Sequence, residues 1–489
     1  MRTEMALEIF FEPSSIAVIG ASPSINKVGG VVTHTLVTNM ERGALKAKVF
    51  PVNPNYDSIY NVKCFKSIKD IKEKVDLMVI AVPASLVLNV IEEGGEAGVS
   101  GAIIITSGFK EIGNNQLQQD IVDMAKKYGV RVIGPNCLGV CDPFTGVDTL
   151  FLPEFKTLST GKEVLATPRP RPGSIVLISQ SGALGAAALD YMAGINMGLR
   201  SFISLGNRAD VNENELLQYF MNDRMTKVIL LYLESITNGR EFLESARECS
   251  KRKPIVAIKV GRSKAGARGA SSHTGSMAGL DQIYQAAFEE SGIIRANTLE
   301  ELFDMGRALT YQPPALGNGV AVLTNAGGPG ILAADACETS GLELVELSDS
   351  TKKAFQEGIR NRVFPSIMTF GNPIDLSAQI TSDGFRDSLK ILLEDPKINS
   401  VLVITLHHTP FVMDDVVGKV AGSAFEKFKP VIACDIGATE MAQEIRARFE
   451  KFRVPAFNAP ERAARALFAL ASYGSFLKKN NLIQTSLDK

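Results

Sequence analysis

His273 has the richest chemistry to offer. It lies in Gly269-Ala270-Ser271-Ser272-His273-Thr274-Gly275-Ser276, downstream of a strand pattern and a basic stretch with Arg262, Lys264 and Arg268. The chain holds four histidines, and one flanked by Gly, Ser and Thr has little apolar surface to pack against. A neutral imidazole is a good nucleophile toward phosphorus and a good leaving group from it. A loop histidine that merely caps a helix is the plainer alternative. Glu234 ends the apolar run Val228–Leu233, so its carboxylate projects at the end of a strand. There it could hold an imidazole tautomer and stabilise a charged intermediate, or simply cap the next helix. Ser179-Gln180-Ser181-Gly182 offers hydroxyls and backbone N–H groups to an oxyanion at a strand-to-helix turn. Gly-x-Ser-x-Gly is absent, so this is not a nucleophile elbow.

Positioning such groups needs a sheet, and the pattern supplies several. Apolar β-branched runs at 16–19, 48–52, 76–82, 102–106 and 130–133 alternate with amphipathic stretches at 84–98 and 114–128. Unbroken apolar strands between helices mean a parallel sheet covered on both faces. Residues 155–173 interrupt the rhythm with Pro168, Pro170 and Pro172 between Arg169 and Arg171, and read as an exposed linker or loop. The alternation restarts at 174–178, breaks again at 311–319, and resumes from 320 to a final helix at 459–473. The fold class is α/β, divided as 1–145, 146–312 and 313–475, with a polar tail at 476–489. Two strand-end loops echo each other, 179–185 and 324–330, so the second and third domains are expected to share a topology.

Ligands of open parallel sheets gather beyond the carboxyl ends of the strands. In the first domain those ends carry Gly20, Ala21 and Ser22 with Lys27 downstream, then Asn53 and Pro54, Val82 and Pro83, Ser107 and Gly108, and Asn136. Small residues before a helix let backbone approach a phosphate, and Lys27 could add a charge. A nicotinamide-dependent dehydrogenase is disfavoured. Gly20 to Gly29 does not fit GxGxxG, and the second strand ends in Asn53-Pro54 rather than an acid for the ribose. No GxxxxGK[ST] phosphate loop occurs.

Lys and Arg total 52 against 53 Asp and Glu, for a formal charge of -1. That balance gives no global reason to bind nucleic acid or an anionic membrane. The six cysteines form no CxxC pair, and no metal site is expected. His407 and His408, adjacent after a strand, are expected to diverge, and His34 to be structural. The first residues lack a signal-peptide profile and no apolar run reaches about 18 residues, so a cytoplasmic location is expected.

With these motifs in order, the chain resembles the α subunit of the nucleoside-diphosphate-forming acyl-CoA synthetases, of the ADP-forming acetate–CoA ligase type. Succinyl-CoA synthetase α is a more distant relative. The resemblance rests on Ile19-Gly20-Ala21-Ser22, Gly134-Pro135-Asn136-Cys137-Leu138-Gly139, Ser179–Gly182, Gly206-Asn207-Arg208-Ala209-Asp210, Tyr232-Leu233-Glu234, Ser272-His273-Thr274-Gly275 and Asn372-Pro373-Ile374-Asp375-Leu376. It implies a Rossmann-like CoA-binding domain, a flavodoxin-like phosphohistidine domain and a second flavodoxin-like domain. The implied reaction is acyl-CoA + ADP + phosphate ⇌ carboxylic acid + CoA + ATP. In it phosphate bound at Ser179–Gly182 gives an acyl phosphate, and His273, supported by Glu234, takes the phosphoryl group. CoA is then a substrate, while ADP or ATP with Mg²⁺ binds an ATP-grasp β subunit in an α2β2 assembly. Glu213 is a second, less firmly mapped carboxylate partner. Asn55 stands where relatives often have Lys. The competing reading is a CoA- or acyl-CoA-sensing regulatory protein on the same fold, which would have no use for His273.

Overall fold

The computed structural model describes residues 7–268, 281–425 and 428–482. By internal contacts the chain divides into two units, Met1–Arg295 and Ala296–Lys489.

The first unit opens with β1 (Ser15–Ile19), whose five residues are all buried. A strand of that composition has no polar face and must lie inside a sheet covered on both sides. After helix α1 (Val28–Glu41) come β2 (Lys48–Val52), β3 (Leu77–Ile80), α2 (Ala84–Glu96), β4 (Gly101–Ile104), α3 (Asn115–Tyr128) and β5 (Arg131–Ile133). The strands pair in parallel in the order β2-β1-β3-β4-β5. Helix α3 turns Ile121, Val122 and Ala125 to the core and stops at Gly129, whose φ of 72° suits the left-handed C-terminal position.

A second sheet follows. Its members are β6 (Val140–Asp142), β7 (Val147–Asp148), β10 (Pro172–Ser179), β11 (Leu199–Ser204), β12 (Val228–Leu233), β13 (Ile255–Lys259) and β14 (Ile293–Arg295). The order is β14-β13-β12-β10-β11-β6-β7, antiparallel only where β6 and β7 join. The 145/146 boundary expected from the pattern therefore falls inside the β6–β7 hairpin. The stretch read as an exposed loop also holds more structure than expected. It contains an exposed hairpin, β8 (Phe155–Thr157) with β9 (Glu163–Leu165). Arg169 is half-sunk against Asp148, and Pro172 is the first residue of the central strand β10. Proline is tolerated there because a strand's first N–H need not join the ladder.

Between the strands of this sheet run α4 (Gly182–Gly194), α5 (Glu213–Asn222), α6 (Gly239–Ser250) and α7 (Asp281–Ser291). In the second unit α8 (Leu299–Tyr311) precedes β15 (Gly319–Thr324), α9 (Gly327–Thr339), β16 (Glu343–Leu344), β17 (Ile374–Asp375), β18 (Ser400–Ile404), β19 (Val431–Cys434), β20 (Ala456–Phe457) and the closing helix α10 (Pro460–Lys479). Its order β16-β15-β18-β19-β20 repeats β11-β10-β12-β13-β14 strand for strand, with β17 added beside β15. Arg462 forks onto Asp304 at 2.7 and 2.8 Å, tying α8 to α10 within this unit. Residues 299–311 thus group with the second unit, ahead of the 312/313 break expected from the prolines.

One histidine expectation needs correcting. His407 and His408 do not diverge: they sit in a turn, not a strand, and their rings stack with centroids 4.0 Å apart. Strand alternation fails once the chain leaves β18. His407 Nδ1 lies 2.7 Å from Asp435 Oδ1. His34 is exposed on α1 with its ring edge-on to Tyr60.

Arg200 in β11 is 5% exposed and bridges Asp142 of β6 and Asp223 beyond α5, with Ser201 Oγ donating to the same Asp142 carboxylate. Removing the cation would leave Asp142 buried and uncompensated. Arg200→Met is expected to lower unfolding free energy by about 3–5 kcal/mol in urea titrations. A loss under about 1 kcal/mol would mean that water reaches the pair.

Candidate active site between two sheet edges

Within the first unit the carboxyl ends of both sheets open onto one cavity of about 1130 Å³. The first sheet contributes Val82 and Pro83 beyond β3, Thr106 and Ser107 beyond β4, and Asn136 beyond β5. The second sheet contributes Gln180, Ser181 and Gly182 beyond β10, Asn207 and Arg208 beyond β11, and Glu234 beyond β12.

A seam of short contacts holds the two edges together. The backbone N–H groups of Asn207, Ala209 and Val211 donate to the carbonyls of Pro135, Gly134 and Val132 at 2.8, 2.9 and 3.0 Å. Asp210 Oδ2 accepts from the Val132 N–H at 2.8 Å and from Arg131 Nε at 2.9 Å. Gly206 permits this approach, because a Cβ there would stand 2.3 Å from the Pro135 carbonyl oxygen and its φ is +56°. The Asn207 amide donates to Glu111 at 2.6 Å and Gln118 at 3.0 Å, and its oxygen accepts from Asn136. Burial opposes ionisation of Glu111, yet the Gly108 N–H and Asn207 amide outweigh it and hold the carboxyl below its ordinary range.

The Ser179–Gly182 turn divides its labour. Ser179 is fully buried, and its hydroxyl donates to the Ser181 carbonyl at 2.7 Å and accepts the Ser181 N–H. Ser181 caps α4 by accepting from the Leu184 N–H. Gln180 faces the other way. Its Oε1 accepts from the N–H groups of Glu234 and Ser235 at 2.7 and 3.1 Å, and its Nε2 donates to the Ser235 carbonyl at 2.9 Å. The carboxamide therefore fixes the backbone that carries Glu234, while the free N–H groups and positive end of α4 remain for an anion. Thr324 and Asn325 repeat the arrangement in the second unit: Asn325 accepts from the Leu406 N–H and donates to the Leu406 carbonyl.

Of the residues singled out from sequence, Val82, Pro83, Ser107, Asn136, Gln180, Ser181, Gly182 and Glu234 line the cavity. Gly20, Ala21, Ser22, Asn53 and Pro54 are not in its described lining, and neither are Lys27, Gly108 and Ser179. Gly20 is needed for φ +90° and for contact with the Ala81 carbonyl. Ala21 is buried, and its carbonyl accepts the Asn53 amide at 2.8 Å. Lys27 is exposed. Glu213 accepts from Arg208 Nη1 at 3.1 and 3.3 Å and is not in the described cavity lining. His273 lies outside the described residues.

Other groups at the cavity were given no site role from the sequence. Lys110 and Lys126 line it and offer cations to phosphate. The Ser107-Gly108-Phe109-Lys110 loop end was the available signal for the first. Arg208 sits at the cavity with Nη1 and Nη2 each 2.8 Å from Ser235. Cys137 also lines the cavity, but burial pushes its thiol up to about 12 and it donates to the Ile104 carbonyl. It is a packing group.

Comparison with known proteins agrees with this geometry. Residues 14–143 match a CoA binding domain, 172–309 a succinyl-CoA ligase like flavodoxin domain and 320–473 a ligase-CoA domain. The α subunit of acetate–CoA ligase [ADP-forming] I from Pyrococcus furiosus is 37% identical over 97% of this chain and 99% of its own length. Acetate–CoA ligase [ADP-forming] from Methanocaldococcus jannaschii is 38% identical over 94% of this chain, which spans only 62% of that longer protein. A solved acetyl-coenzyme A synthetase 1 from Ca. Korarchaeum cryptofilum, in complex with phosphate and ADP, superposes with a TM-score of 0.87 at 36% identity, covering 98% of this chain and 99% of that one. No helix among the described residues is long and apolar enough to cross a membrane. On fold, site and full-length similarity together, the chain belongs to the ADP-forming acetate–CoA ligase family, as a counterpart of its α subunits.

Proposed function

We propose that this chain carries out the thioester half of acyl-CoA + ADP + phosphate ⇌ carboxylic acid + CoA + ATP. The observation that supports it most is the shared cavity, which brings a CoA-type sheet edge, a helix N-terminus and Glu234 to one space. CoA lies along the first sheet's edge, its phosphates near Lys110 and Lys126 and its thiol toward α4. Orthophosphate is held at the N–H groups of Gly182 and Ala183, which line the cavity. A phosphate oxygen attacks the thioester carbon, the C–S bond breaks, and CoA leaves as the thiol after taking a proton. The imidazole of His273 then attacks phosphorus, the bond to the acyl oxygen breaks, and the carboxylate departs. Glu234 stabilises the charged imidazole. The phosphohistidine passes its phosphoryl group to ADP, which with Mg²⁺ occupies an ATP-grasp β subunit in an α2β2 assembly.

The domains of this reading are the first sheet and its helices up to β5, the second sheet from β6 to Arg295, and the second unit from Ala296. Six buried free cysteines fit a reducing compartment, and the reading includes a cytoplasmic location. A sensor without turnover is the weaker reading, since the Gln180 clamp on the Glu234 backbone serves a carboxylate that must be held in one position.

With its nucleotide-binding partner and γ-labelled ATP, the chain is expected to acquire acid-labile, base-stable phosphate. His273→Ala is expected to abolish it, and equal labelling of that variant would exclude the assignment. Gln180→Ala should lower kcat roughly 100-fold by releasing the Glu234 backbone, with CoA affinity kept. Calorimetric loss of CoA binding instead would mean that Gln180 supports the cavity rather than Glu234.

A further inference from the structure

The Pro/Arg segment has no part in the chemistry above, yet it anchors one wall of the cavity. Arg169 Nε donates to Asp148 Oδ2 at 2.6 Å, Nη2 to the Leu152 carbonyl at 3.0 Å and Nη1 to the Thr167 carbonyl at 2.8 Å. Ala166 and Thr167 donate backbone N–H groups to the Glu154 carbonyl. Residues 148–154 are thus fastened at both ends. The antiparallel register that pairs Cys141 with Asp148 continues through the bond from Thr149 N–H to the Val140 carbonyl. Phe151 and Leu152 follow two and three residues beyond Thr149. Leu138 in turn abuts the start of α4: its Cβ would lie 3.3 Å from a Cβ on Gly182. Leu138, Phe151 and Leu152 all line the cavity, as do Ala183 and Ala186, three apart on one face of α4.

We propose that Leu138, Phe151 and Leu152 form the wall that receives the acyl chain, that Ala183 and Ala186 set its width, and that Arg169 is a positioning residue for it. The inference rests on the function proposed above and names its substrate class. Apolar side chains beside the anion-binding helix start fit the tail of a monocarboxylic acyl group longer than acetyl. The small side chains on α4 leave room that a methyl alone would not fill.

The test titrates the full-length chain with CoA and with acetyl-, butyryl- and phenylacetyl-CoA by calorimetry. The unaltered chain is expected to bind butyryl-CoA more tightly than acetyl-CoA. Ala186→Phe should cut the butyryl-to-acetyl affinity ratio about tenfold or more while CoA affinity holds. Phe151→Ala should move preference the other way, toward phenylacetyl-CoA. Arg169→Lys keeps the charge but loses the fork, and is expected to flatten the discrimination among the three thioesters. Ratios unchanged in the Phe151 and Ala186 variants, with CoA still bound, would overturn the wall alone. An unaltered chain that binds no CoA would overturn the proposed function and this inference with it.

Discussion

Asp210 carries the constraint on which the site depends. One carboxylate oxygen accepts from Arg131 and from the backbone of Val132 at the last strand of the first sheet, while its own chain continues from the end of β11 in the second. Around it, backbone bonds from residues 207, 209 and 211 clasp residues 132–135. Open parallel sheets bind ligands beyond their carboxyl ends. Two such edges can serve one reaction only if they face the same space, and this seam makes them do so. In the proposed function, a thioester on one edge and an anion on the other then meet without diffusing apart, which lowers the entropic cost of their reaction.

A second device sets the positions of individual groups. In both units the residue after a central strand turns its carboxamide sideways and grips the backbone leaving the neighbouring strand: Gln180 on Glu234 and Ser235, Asn325 on Leu406. The preceding hydroxyl, Ser179 or Thr324, accepts an N–H from two residues on and donates to that residue's carbonyl, which closes the turn. The helix start that follows is left with N–H groups facing outward. Repetition of the turn goes with repetition of strand order, so the same local solution recurs at the same place in a repeated topology.

Much of this was legible in the residues. Unbroken apolar runs marked the strands, the echo between 179–185 and 324–330 anticipated the shared topology, and Ser179–Gly182 and Glu234 were found at strand ends. What the residues could not disclose was where each hydrogen-bonding group finds its partner. Gln180 read only as part of an oxyanion-binding turn; nothing in the residues showed that its carboxamide grips backbone fifty-four positions away. Gly20 and its neighbours read as a phosphate cradle, and the residues gave no sign that Gly20 must also pass close to the Ala81 carbonyl. Lys27 and Lys110 look alike as single cations after a strand; only the fold brings Lys110 to the cavity. The Pro/Arg stretch read as a loop because prolines dominate its appearance, while the decisive contact is the Arg169 fork to Asp148, a pairing invisible without the β6–β7 hairpin.

The most direct measurement is a structure of the full chain with CoA and orthophosphate both bound. The account predicts CoA along the Val82, Ser107 and Asn136 edge, its thiol ending within van der Waals reach of a phosphate that rests on the N–H groups of Gly182 and Ala183. Thiol and phosphate in separate pockets, with the space between α4 and Glu234 empty of both, would contradict it.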